Sequence, residues 1–89
     1  MPRQTVTITN KLGLHLRASS KLSQMASSFA CEIWLERNTK RINAKSVLGV
    51  TMLAAGLGTE VTIETTGEQE DEAMASLVKL FHDKFGEDA

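Results

Sequence analysis

The fold is decided by residues 5–29, TVTITNKLGLHLRASSKLSQMASSF, within which the spacing of apolar residues changes. Val6 and Ile8 alternate with threonines, which is the pattern of a strand with one buried face. After a turn, apolar residues recur at the spacing of one helix face: Ala18, Leu22, Met25, Ala26 and Phe29. The stretch therefore predicts a β-strand, a turn and an amphipathic helix.

Strand periodicity returns three more times along the chain. It is found at residues 31–36, continues through a hairpin into residues 41–44, and appears again at residues 60–65. In the first of these strands the only tryptophan, Trp34, lies on the polar face. In the last strand, Ile63 belongs to the buried face.

Two further helices complete the predicted fold. Ser46 is suited to N-cap a short apolar helix that runs to about Ala55. Carboxylates at positions 68, 70, 71 and 72 fit the start of a last helix, where the dipole favours negative charge. The apolar face of that helix repeats every four residues: Ala73, Leu77, Phe81 and Phe85. The order βαββαβα predicts an α+β open-faced sandwich, a four-stranded antiparallel sheet covered on one face by three helices.

Composition limits the classes of function. The chain has 89 residues and a net charge of −1, so we expect a single domain, residues 1–89, without a deep catalytic cleft or a field that attracts nucleic acid. The lone cysteine, Cys31, allows no intramolecular disulfide. There is no signal-peptide or membrane-helix pattern and no nucleotide-binding glycine motif. We therefore expect a cytoplasmic protein without a cofactor or metal.

The sharpest local feature is GLHLRASSKL at residues 13–22. His15 falls at the N-terminal edge of the predicted helix, where the backbone N–H groups of Leu16, Arg17 and Ala18 form an anion site. Arg17 adds charge-assisted hydrogen bonds. A histidine can be neutral and nucleophilic near pH 7, so His15 is a candidate phosphoryl acceptor. The alternative is that His15 is only a polar cap.

A second feature is the absence of charged side chains from residues 46–59. A short helix cannot bury every face, so part of this segment is expected to remain exposed as a docking surface. Three residues are expected to point inward: Val50, Leu53 and Leu57. Three others are then left partly exposed: Val47, Leu48 and Met52. The alternative is that neighbouring elements cover them.

Other polar residues have simpler explanations. Basic residues gather around the hairpin, where they could contact phosphates, but a solvated hairpin is the simpler interpretation. These residues are Arg37, Lys40, Arg41 and Lys45. His82 is expected to be an ordinary surface residue of the last helix.

Taken together, three segments resemble the HPr family, the histidine-containing phosphocarriers of the bacterial phosphoenolpyruvate-dependent phosphotransferase system. They are TVTITNKLGLHLRAS (residues 5–19), INAKSVLGVTML (residues 42–53) and GTEVTIETTGEQEDEAM (residues 58–74). The resemblance covers essentially the whole chain. The wording TNKLGLH and the ending LVKLFHDKFGED are closer to the nitrogen-related branch, NPr, than to the sugar-transport branch.

The resemblance implies a phosphoryl relay in which the chain is a carrier without independent turnover. Enzyme I would phosphorylate Nδ1 of His15, Arg17 would assist, and an EIIA-type protein would receive the phosphoryl group. We expect a monomer that meets these partners in turn, without nucleic acid or membrane. One departure is Ala18, which stands where the family usually has proline. We expect transfer to survive with an altered rate.

The resemblance also implies a regulatory site. Ser46 matches the serine that HPr kinase/phosphorylase modifies in organisms that have that enzyme. Val47, Leu48 and Thr51 fall within the helix with which the family contacts its partners. The second hypothesis is accordingly a regulatory binding module controlled by phosphorylation of Ser46, with weak or no transfer through His15.

Overall fold

Four strands and three helices follow one another in the predicted order βαββαβα. The computed structural model describes residues 2–87, so the ends of the expected domain, Met1 and Ala89, lie outside the described residues. The elements are β1 (Arg3–Thr7), α1 (Leu16–Ser27), β2 (Glu32–Arg37), β3 (Lys40–Asn43), α2 (Val47–Met52), β4 (Glu60–Thr66) and α3 (Glu70–His82). A short 3-10 segment (Lys84–Gly86), here called the C-terminal turn, follows α3. No helix within residues 2–87 is long and apolar enough to cross a bilayer.

The strands form one antiparallel sheet in the order β1-β4-β2-β3. One face of the sheet packs against the helices and carries the strand residues of the core, which are nearly inaccessible to solvent. These residues are Val6, Ile33, Leu35, Val61 and Ile63. The helices contribute Ala18, Leu22, Ala26, Val50, Ala73 and Leu77 to the same core. The predicted open-faced sandwich is confirmed.

The open face of the sheet carries a closed set of ion pairs, here called the sheet network: Arg3, Glu36, Arg41 and Glu64. Arg3 donates to Glu64 at 2.8 Å and to Glu36 at 2.7 Å, while Arg41 donates to Glu64 at 2.8 Å and also to Glu36. The Arg41 guanidinium lies 5.0 Å from the centre of the Trp34 ring. Hydrogen bonds from the two arginines hold the pKa values of both carboxyls below their ordinary range.

The basic residues of the hairpin are engaged within the chain. Arg37, Lys40 and Lys45 donate to backbone carbonyl oxygens at 3.0, 3.4 and 2.8 Å. Arg41 belongs to the sheet network. The hairpin therefore offers no set of uncommitted cations to a nucleic acid.

The first two helices end earlier than the apolar spacing predicted. Helix α1 ends at Ser27, so Phe29 packs on the core from the following loop. Helix α2 ends at Met52 instead of near Ala55, because Ala54 adopts a left-handed conformation with φ of 54°. Apolar spacing indicates which residues face the core but not where the helix ends. A residue just beyond the helix can still pack against the core from a loop.

Helix α3 is also shorter than predicted at both ends. It begins at Glu70, so Glu68 precedes it, and three of the four carboxylates lie in its first turn. It ends at His82, which is exposed as predicted. Phe85 lies outside the helix, yet its ring is buried and packs edge-on against Phe81 with 5.0 Å between ring centres.

Candidate functional site

His15 lies at the N-terminal edge of helix α1, as the sequence predicts, and is its N-cap. Its backbone is extended, with φ of −74° and ψ of 178°, and its carbonyl oxygen accepts the first helical hydrogen bond from the N–H of Ser19 at 2.9 Å. Its ring nitrogen Nδ1 accepts a hydrogen bond from the N–H of Arg17 at 3.3 Å. This distance is at the long limit for an N–H donor, so the contact is weak and readily exchanged for another acceptor.

The loop before α1 fixes this position of the ring. Gly13 has φ of 66°, and a Cβ atom there would lie 2.5 Å from the carbonyl oxygen of Ala55. Only glycine allows that close approach and conformation without strain. The next residue, Leu14, donates its N–H to the same oxygen at 2.9 Å. The buried amide of Asn10 donates to the carbonyl oxygen of Gly13 at 2.8 Å, which closes the turn before His15.

The start of α1 has unused capacity for an anion. Within residues 2–87, the N–H groups of Leu16 and Ala18 have no acceptor, and Arg17 uses its N–H only for the long contact to His15. The guanidinium of Arg17 is exposed and has no acceptor in the described part of the chain. These donors lie at the positive end of the helix dipole, and Arg17 and Lys11 line the same open depression as the His15 ring.

Sequence reasoning missed one residue of the site, Glu87. Its carboxylate oxygen Oε2 lies 2.5 Å from Nε2 of His15, and its other oxygen accepts from the amide of Asn10 at 3.2 Å. Desolvation alone would raise the pKa of Glu87, but the hydrogen bonds from His15 and Asn10 and the charges of His15 and Lys21 outweigh it and lower the pKa. The contact joins residues 72 positions apart, and no local pattern announces it.

Five large apolar side chains are exposed to solvent, and two of them, Leu12 and Leu16, lie beside His15. We call the five of them the apolar rim: Leu12, Leu16, Leu48, Met52 and Leu57, each 61–71% exposed. Leu12 and Leu16 line the same open depression as His15 and Arg17, and helix α2 packs beside α1. The predicted exposure of Leu48 and Met52 is confirmed.

Of the three residues predicted to point inward, two are buried and one is exposed. Val50 and Leu53 are fully buried, whereas Leu57 is exposed, which corrects the prediction that it points inward. The reason is the early end of α2, because Leu57 lies in a loop and the helical spacing no longer applies to it. Val47 is partly exposed, as predicted.

Ser46 and Thr51 lie at the two ends of α2, Ser46 directly before its first residue and Thr51 one residue before its last. Ser46 is exposed and is the N-cap, since its hydroxyl oxygen accepts from the N–H of Gly49 at 3.0 Å. Thr51 is exposed and its hydroxyl donates to the carbonyl oxygen of Val47 at 2.9 Å. Both side chains are therefore bonded within their own helix. Among residues 2–87, no group of three or more His, Cys, Asp or Glu side chains could hold a metal ion.

Comparison with known proteins places this arrangement in a family. Residues 2–83 match the family model described as the PTS HPr component phosphorylation site. The chain belongs to the HPr family. It is 51% identical over 87 residues to the phosphocarrier protein HPr of Cupriavidus necator, covering 98% of both chains. This HPr-family chain is thus a phosphocarrier protein of the bacterial phosphotransferase system.

Solved structures give the same result for the fold. An HPr from Thermoanaerobacter tengcongensis superimposes with a TM-score of 0.96, at 40% identity, with 100% of both chains covered. A structure described as an HPr dimer from the same organism has a TM-score of 0.78, at 41% identity, with 98% of this chain and 100% of that chain covered. The open-faced sandwich predicted from the strand and helix pattern is thus the fold of HPr structures, as the family resemblance implied.

Proposed function

We propose that Nδ1 of His15 is the atom that carries the phosphoryl group, received from enzyme I and passed to an EIIA-type protein. The observation that carries the proposal is the position of this ring. It caps helix α1 beside an exposed guanidinium, Arg17, and beside backbone N–H groups without acceptors in residues 2–87.

The reaction needs little rearrangement of the site. As the phosphoryl group binds Nδ1, the N–H of Arg17 exchanges that nitrogen for a phosphate oxygen. The N–H groups of Leu16 and Ala18 and the guanidinium of Arg17 supply further donors. Hydrogen bonds to the charged phosphate are worth about 1.5–3 kcal/mol each. Arg17 offers both a backbone N–H and a cationic guanidinium, so it is expected to contribute more than Leu16 or Ala18.

We propose that the apolar rim is the surface on which both partners dock. Leu48 lies in this rim, with Val47 and Thr51 beside it on α2. A monomer that presents one open surface can meet enzyme I and the acceptor in turn, so the two partners compete for it. Because a relative has been solved as a dimer, the monomeric state is tested by size-exclusion chromatography with light scattering.

The first experiment is intact-mass analysis after incubation with phosphoenolpyruvate, magnesium and an enzyme I. The wild-type chain is expected to gain one phosphoryl group that acid removes, because a phosphorus–nitrogen bond is acid-labile. His15→Ala is expected to gain none, while His82→Ala, the matched control at the other histidine, gains one. An adduct that persists in His15→Ala would refute the assignment of the acceptor.

We further propose that the chain belongs to the nitrogen-related branch of the phosphotransferase system. The resemblance of residues 9–15 and of the C-terminal segment supports the nitrogen-related branch, in which case transfer to a nitrogen-branch EIIA should be faster than transfer to a sugar-branch EIIA. Equal rates would remove the assignment to the nitrogen-related branch, and reversed rates would favour the sugar branch. Cys31 is a free, buried thiol, which is compatible with the reducing cytoplasm in which this relay is proposed to act.

Regulation at Ser46 is proposed as an addition to transfer. A phosphate on Ser46 would place a dianion directly before Val47 and Leu48 and would weaken docking by charge and desolvation. The test is ATP-dependent, acid-stable modification by an HPr kinase/phosphorylase, absent from Ser46→Ala. A module regulated by Ser46 alone, without transfer through His15, is not favoured, because the matched family model is that of a phosphorylation-site component of the transfer system.

A further inference from the structure

The C-terminal turn brings a carboxylate to the far side of the His15 ring. Lys84, Phe85 and Gly86 all have left-handed backbone conformations, with φ of 55°, 57° and 78°. For two residues other than glycine this conformation is unfavourable and persists only where the surroundings impose it. The following residue, Glu87, therefore reaches the ring through a turn that costs free energy.

Two contacts hold the C-terminal turn in place. The Phe85 ring is buried against Phe81, and the ammonium group of Lys21 donates to the carbonyl oxygen of Phe85 at 2.7 Å. Lys21 belongs to α1, the same helix that His15 caps. The turn is thus fastened to the element that positions the reactive ring.

A third contact aims the carboxylate of Glu87. Asn10 donates from its amide nitrogen both to the carbonyl oxygen of Gly13 and to Glu87. Its own oxygen Oδ1 is buried and has no donor within residues 2–87. A buried acceptor without a partner is unfavourable, so the two neighbouring acceptors dictate this orientation of the amide. The amide group links the loop before His15 to the carboxylate behind it.

The carboxylate determines which ring nitrogen carries the proton. An ionised Glu87 can only accept a hydrogen bond, so in the neutral ring the proton lies on Nε2, which is 2.5 Å away. The lone pair of Nδ1 then remains available at the helix end. The N–H of Arg17 points at that same nitrogen, which is consistent with an unprotonated Nδ1.

We propose that Glu87 is a positioning residue for phosphoryl transfer, which fixes His15 as the tautomer with a free Nδ1 and stabilises the phosphorylated ring. The inference rests on the proposed role of His15. When the Nδ1 lone pair forms the bond to phosphorus, the bond between phosphorus and the donor atom breaks and its electron pair returns to the donor.

No proton has to move in this step. The acceptor ring keeps its proton on Nε2 and becomes a cation, which the carboxylate of Glu87 faces directly. When the phosphoryl group moves on to the next protein, the electron pair of the N–P bond returns to Nδ1 and the neutral tautomer is regenerated. Glu87 thus acts through the same hydrogen bond in both directions of transfer.

The test combines a tautomer measurement with transfer kinetics on the full chain. The variants are Glu87→Ala, which removes the acceptor, and Glu87→Gln, whose amide oxygen can still accept from Nε2 but carries no charge. Asp83→Asn is the matched control, because it removes one exposed carboxylate from the segment just before the C-terminal turn. Circular dichroism checks that each variant is folded.

The ¹⁵N shifts of the His15 ring, recorded where the ring is neutral, are expected to show protonation at Nε2 alone in the wild type and in Asp83→Asn. Glu87→Ala should show both tautomers. With enzyme I as the catalyst and the carrier as its substrate, kcat should fall about tenfold or more in Glu87→Ala with KM unchanged, and less in Glu87→Gln.

An unchanged tautomer or an unchanged kcat in Glu87→Ala would overturn the role of Glu87. So would a rise in KM alone, since that result indicates a contact with the partner. These outcomes are separate from failure of the proposed function, which would appear as a wild-type chain that gains no phosphoryl group. The tautomer measurement needs no transfer and decides the positioning role in either case.

Discussion

The molecule has two polar regions that contain arginine, the sheet network and the start of α1, and they differ in whether the arginine is paired. In the sheet network, two arginines and two glutamates satisfy one another, and every charge has a partner within the chain. At the start of α1, the guanidinium of Arg17 and the N–H groups of Leu16 and Ala18 have no acceptor within residues 2–87. The contrast shows that a charged cluster indicates a binding site when its charges are left unmatched.

The apolar residues of the two regions differ in the same way. On the sheet face Trp34 is partly covered by the Arg41 guanidinium, whereas the five residues of the apolar rim, two of which line the His15 depression, are exposed. Exposed leucines around an unmatched cation are characteristic of a surface that a partner covers. This difference supports our proposal that partners dock at the His15 end.

The largest expected effect is on transfer when the unmatched cation is removed. Arg17→Ala should lower kcat/KM with enzyme I by roughly 10- to 100-fold, the equivalent of about 1.5–3 kcal/mol for a hydrogen bond to a charged group. Arg41→Ala, the matched control on the sheet face, should leave transfer within about twofold. The comparison fails if both variants transfer phosphate equally well in a stopped assay that follows the phosphorylated chain by mass.

Next in size is the effect of shortening an exposed leucine of the apolar rim. Leu48 is 71% exposed, so Leu48→Ala should raise KM for enzyme I by about 5- to 10-fold, the range of a moderate interface residue, and leave the unfolding free energy nearly unchanged. Leu53→Ala is the contrasting variant, because Leu53 is fully buried and should lose about 2–5 kcal/mol of stability. Urea unfolding measures the stability of both variants, and steady-state kinetics measures their KM for enzyme I. A stable Leu48→Ala variant with the wild-type KM would show that Leu48 does not belong to the docking surface.

The part of this site that could be predicted from the sequence is the part set by local structure. The change from strand to helix spacing indicates that a helix begins near residue 15, and His15 is confirmed as its N-cap. The alternation in the strands likewise predicts the buried and open faces of the sheet. Each of these inferences depends on residues less than about ten positions apart, where backbone geometry dictates the pattern.

The features of the fold and site that could not be predicted depend on where a helix ends and on contacts between residues far apart in the sequence. Phe85 keeps the i+4 spacing of α3 and is buried, but it reaches the core through left-handed residues that local preferences disfavour. Leu57 fails as a core residue because α2 ends before it. Glu87 meets His15 only because of that unexpected turn, and a contact of this kind leaves no periodic signal.

A smaller effect is expected from restoring the proline of the family pattern at Ala18. Its N–H has no acceptor within residues 2–87 and it lies in the first turn of α1, so Ala18→Pro removes no helical hydrogen bond. Stability should change by no more than about 1 kcal/mol. Loss of one backbone donor from the anion site should alter transfer by less than about tenfold.

The control for Ala18→Pro lies in the same helix. Ala26→Pro places the ring in the buried interior of α1, where it should cost about 3 kcal/mol or more. Thermal unfolding followed by circular dichroism distinguishes the two positions. If Ala18→Pro were as damaging as Ala26→Pro, the N–H of Ala18 would have a partner in solution and would not be available to a phosphate.

The smallest effect is expected on the sheet face, and it concerns stability alone. Hydrogen bonds from Arg3 and Arg41 lower the pKa values of Glu36 and Glu64 in the folded chain, so the folded state binds protons there less readily than the unfolded state. The stabilisation is complete above the ordinary carboxyl pKa and is lost as the pH falls through the lowered values. The double variant Glu36→Gln/Glu64→Gln should therefore lose less stability than the wild type between neutral and acidic pH.

The control for this prediction is Glu60→Gln/Glu68→Gln, which removes two exposed carboxyls outside the sheet network and should retain the acid sensitivity of the wild type. Urea unfolding as a function of pH provides the measurement, and phosphoryl transfer by both double variants should match that of the wild type. A sheet-network variant that unfolds in acid like the wild type, or that transfers phosphate slowly, would contradict the division between the two regions. Because exposed ion pairs are screened by salt and contribute little individually, the effect should be clearest at low ionic strength.

The guanidinium of Arg17 has no ion pair to lose within residues 2–87, so removing it should change phosphoryl transfer and leave stability unchanged.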